Sequence, residues 1–227
     1  MQQNLTLSNG GEVRAGQYNR IVVFGDAVLD DGAAFDLMDV HGSVAAHNVR
    51  GGVLYVDGGM MQVTGSLRVQ TLGGNGDVDV TGAVRVGRMQ FTGVMQTDRA
   101  VRVIDSLDLS GILRNGQRID ADSVRMDGFM EVADLHAVHA VSIRPLETMM
   151  LRWNCFRQYD HGSTADSISC MDLDAKDLAC PLIRANTVTL RGASYAQDVH
   201  CAKTLSLDRS SVALQVTGNC ERIRLDG

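Results

Sequence analysis

The chain has 227 residues, a formal net charge of −6 and 24 glycines, but only 4% aromatic residues and two prolines. So few aromatic side chains disfavour a compact two-layer core, and interspersed charges without a basic patch disfavour nucleic acid as a partner. No apolar stretch reaches the roughly 18–20 residues that cross a bilayer and residues 1–11 lack a signal region, so we expect a cytoplasmic protein without direct membrane insertion.

A short phrase repeats along the chain: an apolar residue, any residue, a second apolar residue, a small polar residue and glycine. It spans residues 61–65 and returns at residues 78–82, 89–93, 107–111 and 124–128. The starting positions of the phrases mostly differ by 17 or 18, and the shorter step from position 78 to position 89 predicts that the phrase moves to another face. The apolar pair continues toward the C-terminus, beginning at Val141, Ile168, Val188, Leu205 and Ile223.

Within each repeat apolar and polar residues alternate, and no stretch shows helical periodicity. Alternation with period two is typical of a strand with one buried face. We therefore predict an all-β, single-stranded β-helix (a β-solenoid) with rungs of about 17 residues and about three faces. Roughly a dozen coils at about 4.8 Å each would form a rod on the order of 55–60 Å long. A small residue three positions before the apolar pair predicts an inward corner, as at Ala121, Ala165, Ala185 and Ala202.

The pattern divides the chain into four parts. Residues 1–16 are expected to form an N-terminal tail or cap, and residues 17–144 a first solenoid stretch. Residues 145–163 break the register and contain Trp153, Phe156 and Tyr159. We expect an irregular insertion there, which either packs over the side of the solenoid or forms a ligand pocket. Residues 164–227 are expected to form a second stretch that continues the rod.

Candidate catalytic residues form no recognisable site in the sequence. Paired aspartates such as Asp120 and Asp122 could serve as acid and base, but aspartate is also common at the corners of a β-rod, which is the interpretation we favour. The six histidines are scattered, and no helix follows the glycine-rich turn at residues 73–76 to bind phosphate. We predict no enzymatic activity, no metal site and no cofactor.

The five cysteines all fall in the last third of the chain. An odd number without a C-x-x-C pair is typical of reduced thiols that pack as small apolar residues. A metal-binding or redox role is the alternative. The residues concerned are Cys155, Cys170, Cys180, Cys201 and Cys220.

The repeat length, the Val-Thr-Gly corners and the phrase Asp-Ala-Asp-Ser-Val at residues 120–124 resemble the bactofilins, which are polymer-forming bacterial cytoskeletal proteins. The chain is more similar to their longer Gram-positive relatives, notably over residues 178–190 and 196–201, and the resemblance covers roughly residues 17–227. It implies a right-handed, triangular β-helix without catalytic residues, which self-associates through its coil ends or faces and positions cell-envelope factors. Membrane-binding bactofilins carry an apolar N-terminal tail, whereas residues 1–10 here are mostly polar.

We expect self-association through the C-terminal coil, because the ends of a solenoid present unpaired backbone groups that invite another strand. Partners would be further copies of the chain, as a homo-oligomer or filament, and cell-envelope or other structural proteins. One alternative is a carbohydrate-binding or carbohydrate-active β-helix with an acidic face near Trp153, and another is a β-helical adaptor that binds a partner protein along one flat face. The residues expected at the self-association contact are Ile223, Leu225, Leu205 and Leu207.

Overall fold

A computed structural model describes residues 3–146 and 162–225 of the chain. These residues form 19 strands, all paired in parallel in one continuous sheet, and no helix. The strands are β1 Gln3–Leu7, β2 Gly11–Val13, β3 Gly16–Val23, β4 Asp26–Leu29, β5 Ala33–Val40, β6 Ser43–Ala46, β7 Val49–Val63, β8 Leu67–Val80, β9 Val84–Thr97, β10 Val101–Val103, β11 Ser106–Ala121, β12 Ser123–Ala137, β13 Ala140–Arg144, β14 Ser163–Ser169, β15 Asp172–Lys176, β16 Leu178–Arg191, β17 Tyr195–Leu207, β18 Val212–Thr217 and β19 Glu221–Arg224.

The sheet winds into a β-solenoid of about 12 turns, with about 17 residues from one turn to the next. This confirms the predicted fold class. Each turn has three faces, which we number by the buried residues that stack on them. Face 1 carries the ladder Leu72–Met89–Leu107, face 2 the ladder Met61–Val78–Met95, and face 3 the ladder Leu67–Val84–Val101. The right-handed sense stays a prediction.

The core is a set of ladders of Val, Leu, Ile and Met that run along the inside of the three faces. Because every second residue of a strand points inward, each ladder residue packs on its equivalents one turn above and below. Buried polar side chains interrupt the ladders of face 2, first at Thr97 and Asn115 and again at Ser163, Ser194 and Ser211. Asn115 donates a hydrogen bond to the hydroxyl of Thr97 (2.6 Å) and another to the carbonyl of Arg99 (2.7 Å), and its own side-chain oxygen accepts from the amide of Gln117 (2.9 Å). The buried amide is therefore fully satisfied.

The repeated phrase ends in glycine at the corner between faces 1 and 2. Only glycine fits there, because a side chain would collide with the turn before. Gly93, Gly111 and Gly128 all have positive φ and stack on one another. A Cβ on any of them would lie 2.0–2.1 Å from the carbonyl oxygen of the glycine in the turn before. The glycines of the phrase at residues 61–65 and 78–82 lie at a different corner, since Met61 and Val78 belong to face 2 and Met89 to face 1. The shorter step between positions 78 and 89 therefore marks a change of face, as expected.

The predicted alignment of the later repeats is wrong in two places, at Ile168 and at Ile223. Val141 stacks on Leu173, whereas Ile168 belongs to face 3 and stacks on Leu135 and Ile183. The turn from Ile168 to its partner Ile183 contains fewer residues than the usual turn, because its corners are shorter. In the last turn Leu205 pairs with Arg222, and Ile223 pairs with Ser206. A corner that changes in length by one residue moves the next strand's side chains to the opposite face, so a phrase alone cannot fix the register.

The four alanines that precede the apolar pairs in the sequence do not lie at one type of corner. Ala121 and Ala185 are buried at the end of face 3, and Ala165 is buried on face 2. Ala202 is exposed, because the structure pairs Ala185 with Cys201 instead. The expectation of an inward corner therefore fails at Ala202, where the loop from face 3 to face 1 is one residue longer.

The rod continues without a break on both sides of the predicted insertion. β12 pairs with β14 and β13 pairs with β15, so residues 164–225 extend the same three faces. The step from Val141 to its partner Leu173 is longer than the usual turn, and the run 147–161 accounts for the excess. The interior of the segment 145–163, with Trp153, Cys155, Phe156, Tyr159 and His161, lies outside the described residues.

The N-terminal residues take part in the same ladder. Within the expected tail or cap of residues 1–16, β1 pairs with β3 and β2 pairs with β4, and Leu5 and Leu7 stack on Ile21 and Val23. No helix in the described part of the chain is long and apolar enough to cross a membrane.

Candidate interaction surfaces

The four residues expected at a self-association contact lie in the last two turns, but only one presents a large apolar surface. Leu205 is 1% exposed, and Leu207 is partly buried against the core. Ile223 is 40% exposed on the outer side of β19, and Leu225 donates its backbone N–H to the carbonyl of Leu207 (2.8 Å). The positions that stack on Leu205 and Leu207 are occupied by Arg222 and Arg224.

Both ends of the described rod present strand edges that are paired on one side only. At the C-terminal end β18 and β19 both pair with β17 and with no later strand among the described residues. Ala213 and Val216 of β18 pack against the core but stay partly exposed. At the N-terminal end β1 pairs with β3 and β2 with β4, with no further strand among the described residues, and Leu5 and Leu7 are the partly exposed apolar residues there.

The aspartates that could have formed an acidic site make separate contacts with basic side chains. Asp120 contacts Arg118 (2.7 Å) and His136 (3.5 Å), and Asp122 contacts His139 (3.3 Å). Other acids are also paired with a base, often one turn away: Asp39 with Arg20, Asp105 with Arg88, Asp134 with Arg118, and Asp174 with Arg144 and Arg191. In residues 3–146 and 162–225, no three His, Cys, Asp or Glu side chains are grouped so that they could hold a metal ion.

The histidines make local contacts at the corners rather than a shared cluster. His41 stacks on the ring of Phe24, with ring centroids 4.9 Å apart, and its Nδ1 lies 3.3 Å from a carboxylate oxygen of Asp57. His47 and His200 each pair through Nδ1 with a threonine hydroxyl one turn further on, Thr64 and Thr217. These contacts tie neighbouring turns together.

One regular surface feature was missed in the sequence: an exposed column of arginines on face 3. Arg50 pairs with Arg68, Arg68 with Arg85, and Arg85 with Arg102, in four consecutive turns. All four side chains are exposed, and none makes an ion pair or side-chain hydrogen bond with another described residue. We call this column the arginine ladder. Its signal in the sequence is the recurrence of Arg at the period of the solenoid.

A comparison of the chain with protein-family models, curated proteins and solved structures found no match. The resemblance to the bactofilins therefore depends on the repeat length and the motifs described above. A solenoid fold by itself is shared by enzymes, binding proteins and structural proteins. We infer function from the surfaces of this solenoid.

The described cysteines are free thiols that pack into the wall of the last turns. Cys180 and Cys201 are buried, as expected, and Cys170 and Cys220 are partly buried. Burial raises the pKa of the Cys170 and Cys180 thiols to about 12, and burial together with the neighbouring thiol of Cys220 raises the pKa of Cys201. Thiols with such raised pKa values are weak nucleophiles at neutral pH. An open depression of about 620 Å³ lies beside Cys170 and Cys201, two of the thiols whose pKa is raised.

Proposed function

We propose that this chain is a non-enzymatic structural protein of the bactofilin type, which self-associates through the ends of its solenoid. In this role it would act in the cytoplasm, in association with the cell envelope, and position other envelope or structural proteins. The observation that carries the proposal is the one-sided pairing of the terminal strands. A row of unpaired N–H and C=O groups is a template for another strand, and no described helix or loop pairs with these edges.

The register of the last turn indicates which part of the C-terminal end suits such a contact. Arg222 and Arg224 put positive charge over Leu205 and Leu207 on face 1, which opposes close stacking of an apolar partner there. Faces 2 and 3 instead end in Ala213 and Val216, which are small and apolar. We therefore assign the C-terminal contact to β18 and the N-terminal contact to Leu5 and Leu7, rather than to the four residues expected from the sequence.

The acidic residues give no support to the carbohydrate-active alternative. A hydrolytic site needs carboxylates that converge on one groove. Asp105, Asp120 and Asp174 are instead held by arginines at separate places along the rod. The aromatic residues around Trp153 lie outside the described residues.

Charge substitutions at the two ends test the proposal. Val216→Lys and Leu5→Lys each put a charge where an associating copy would have to stack, and each should weaken association at least tenfold, or about 1.4 kcal/mol. Sedimentation velocity over a concentration series measures the change in average mass. The same strands supply matched controls: Leu214→Lys in β18, where the wild-type side chain is 60% exposed, and Thr6→Lys in β1, which points outward between Leu5 and Leu7.

Circular dichroism and the thermal midpoint establish that each variant is folded. The proposal is supported if the end variants shift to a smaller mass while the outward controls assemble like the wild type. A wild-type chain that stays monomeric at high concentration, or controls that lose assembly as fully as the end variants, would contradict it.

A further inference from the structure

The arginine ladder is the least balanced charged feature on the described surface. Most arginines elsewhere on the rod lie within 4 Å of an acid, as Arg20, Arg88 and Arg191 do. The four ladder arginines instead follow each other at the interstrand spacing of about 4.8 Å, over about 14 Å of the rod. The column of arginines is four residues long. In the turn before it Ala34 pairs with Arg50, and in the turn after it Asp120 pairs with Arg102.

Such a column disfavours folding, because like charges directly opposite each other on neighbouring strands repel. Each ladder residue points outward from a strand whose inward neighbours already fill the core, so the guanidinium groups are not needed for packing. A partner that brings negative charge to all four sites would remove the repulsion. The ladder is therefore suited to bind an anion that extends over several turns.

The residues beside the ladder restrict the shape of that anion. The positions two residues before the arginines are uncharged, and so are the positions two residues after them. They are Asn48, Ser66, Ala83 and Ala100 on one side, and Gly52, Gln70, Gly87 and Ile104 on the other. Apart from Arg99, which is exposed three residues before Arg102, the positive charge is a single line along the rod axis on a protein that is negative as a whole. A line of charge matches a linear polymer better than it matches a broad anionic surface.

We propose that the arginine ladder binds a linear chain of phosphate groups, which lies along face 3 parallel to the rod axis. Guanidinium groups bind phosphate through paired N–H donors, and a chain with a charge on every backbone unit can meet each arginine at the pitch of about 4.8 Å. An extended acidic peptide fits less well, because its same-side carboxylates are about 6.8 Å apart.

Two other partners fit face 3 less well. Single-stranded nucleic acid needs aromatic side chains on which its bases can stack. The exposed aromatic residues in the described part of the chain, Phe24, Tyr55 and Tyr195, lie on or beside faces 1 and 2. A second copy of the chain is also a poor match, because no column of its described residues stacks four acidic side chains in consecutive turns.

Binding of fluorescently labelled inorganic polyphosphate to the full-length chain tests the proposal, by fluorescence anisotropy at several salt concentrations. The variant Arg68→Gln/Arg85→Gln removes the two central charges. We expect at least tenfold weaker binding at low salt, and a plot of log affinity against log salt that is shallower by about 1.4, or about 0.7 per lost contact. The matched control is Arg88→Gln/Arg191→Gln, which changes the net charge equally but removes arginines paired with Asp105 and Asp174. The control should change affinity less than twofold.

Melting temperatures, measured with and without polyphosphate, separate a loss of binding from a folding defect. Without ligand the ladder variant should melt at the same temperature as the wild type or higher, because repulsion is relieved. Added polyphosphate should raise the melting temperature of the wild type and of the control but not of the ladder variant. The proposal is overturned by equal losses in the two variants, by no binding at low salt, or by stronger binding to single-stranded DNA, to polyglutamate or to anionic vesicles.

Discussion

At the scale of single residues, the solenoid depends on positions where a side chain would not fit. Gly51 on face 3 stacks directly on Phe35, and a Cβ on Gly51 would lie 2.2 Å from Cε2 of the Phe35 ring. The Phe35 ring therefore fills the space that a side chain at position 51 would otherwise occupy. The sequence could not reveal this pairing, because it depends on which residues stack between turns.

Substitution of Gly51 should therefore destabilise the rod through overpacking. We expect Gly51→Ala to lower the free energy of unfolding by about 1–3 kcal/mol. Urea denaturation followed by circular dichroism measures the change. Gly116→Ala is the matched control, since a Cβ at Gly116 meets nothing within 4 Å and its φ is not positive. Equal stability of the two variants would show that the Phe35 ring does not pack as described.

At the scale of elements, the strands were predictable and the corners were not. The alternation that predicted strands also identifies inward residues such as Val78 and Val80, which are buried. Corners are set by local hydrogen bonds that are specific to each turn. Asn48, for example, accepts hydrogen bonds from the backbone N–H (2.9 Å) and the hydroxyl (2.8 Å) of Ser66, in the next turn. Such contacts allow corners of different length, and this is why the sequence misaligned Ile168 and Ile223.

Asp208 is the strongest example of a carboxylate that holds a corner. It accepts hydrogen bonds from the backbone of Gly192 (2.7 Å), Ser210 (3.1 Å) and Ser211 (2.8 Å), so it joins the loop before β17 to the loop before β18. Partial burial raises the pKa of this carboxyl group, but the hydrogen bonds outweigh that effect and lower the pKa to about 2. The native state therefore favours the charged form.

Removal of this charge should make the last turns less stable at neutral pH. A folded-state pKa below the unfolded value means that the stabilisation is present above about pH 4 and is lost as the pH falls toward 2. We expect Asp208→Asn to lower the melting temperature by about 2–4 °C at pH 7, with a difference from the wild type that shrinks as the pH falls from 4 to 2. Asp98→Asn, at an exposed carboxylate without a side-chain partner among the described residues, is the control. A difference that is the same at pH 7 and pH 2 would contradict the assigned role.

At the scale of the whole molecule, the repeat explains why the solenoid could be predicted from the sequence and why the arginine ladder was not. A period of about 17 residues with few aromatics was enough to predict a β-solenoid, because an inward ladder needs like residues at like positions. The arginine ladder follows the same period, but its members lie a full turn apart in the sequence and each looks like an ordinary surface charge. Surface columns become visible only when the turns are stacked in register.

In the terminal turns the repeat led to a wrong alignment of the last strand. Extending the repeat to the last turn suggested an apolar end built on Ile223, whereas the register places Arg222 and Arg224 on face 1. The proposed contact therefore moves to the partly exposed residues of β18 and β1. The open strand edges at both ends remain the physical reason to expect assembly.

Negative-stain electron microscopy of the purified full-length chain tests the central claim most directly. A solenoid of about 12 turns is on the order of 55–60 Å long as a single copy. We predict filaments or extended rods many times that length and one solenoid wide, formed by end-to-end stacking. Separate particles no longer than one copy, at concentrations well above those of the sedimentation series, would contradict the proposed assembly.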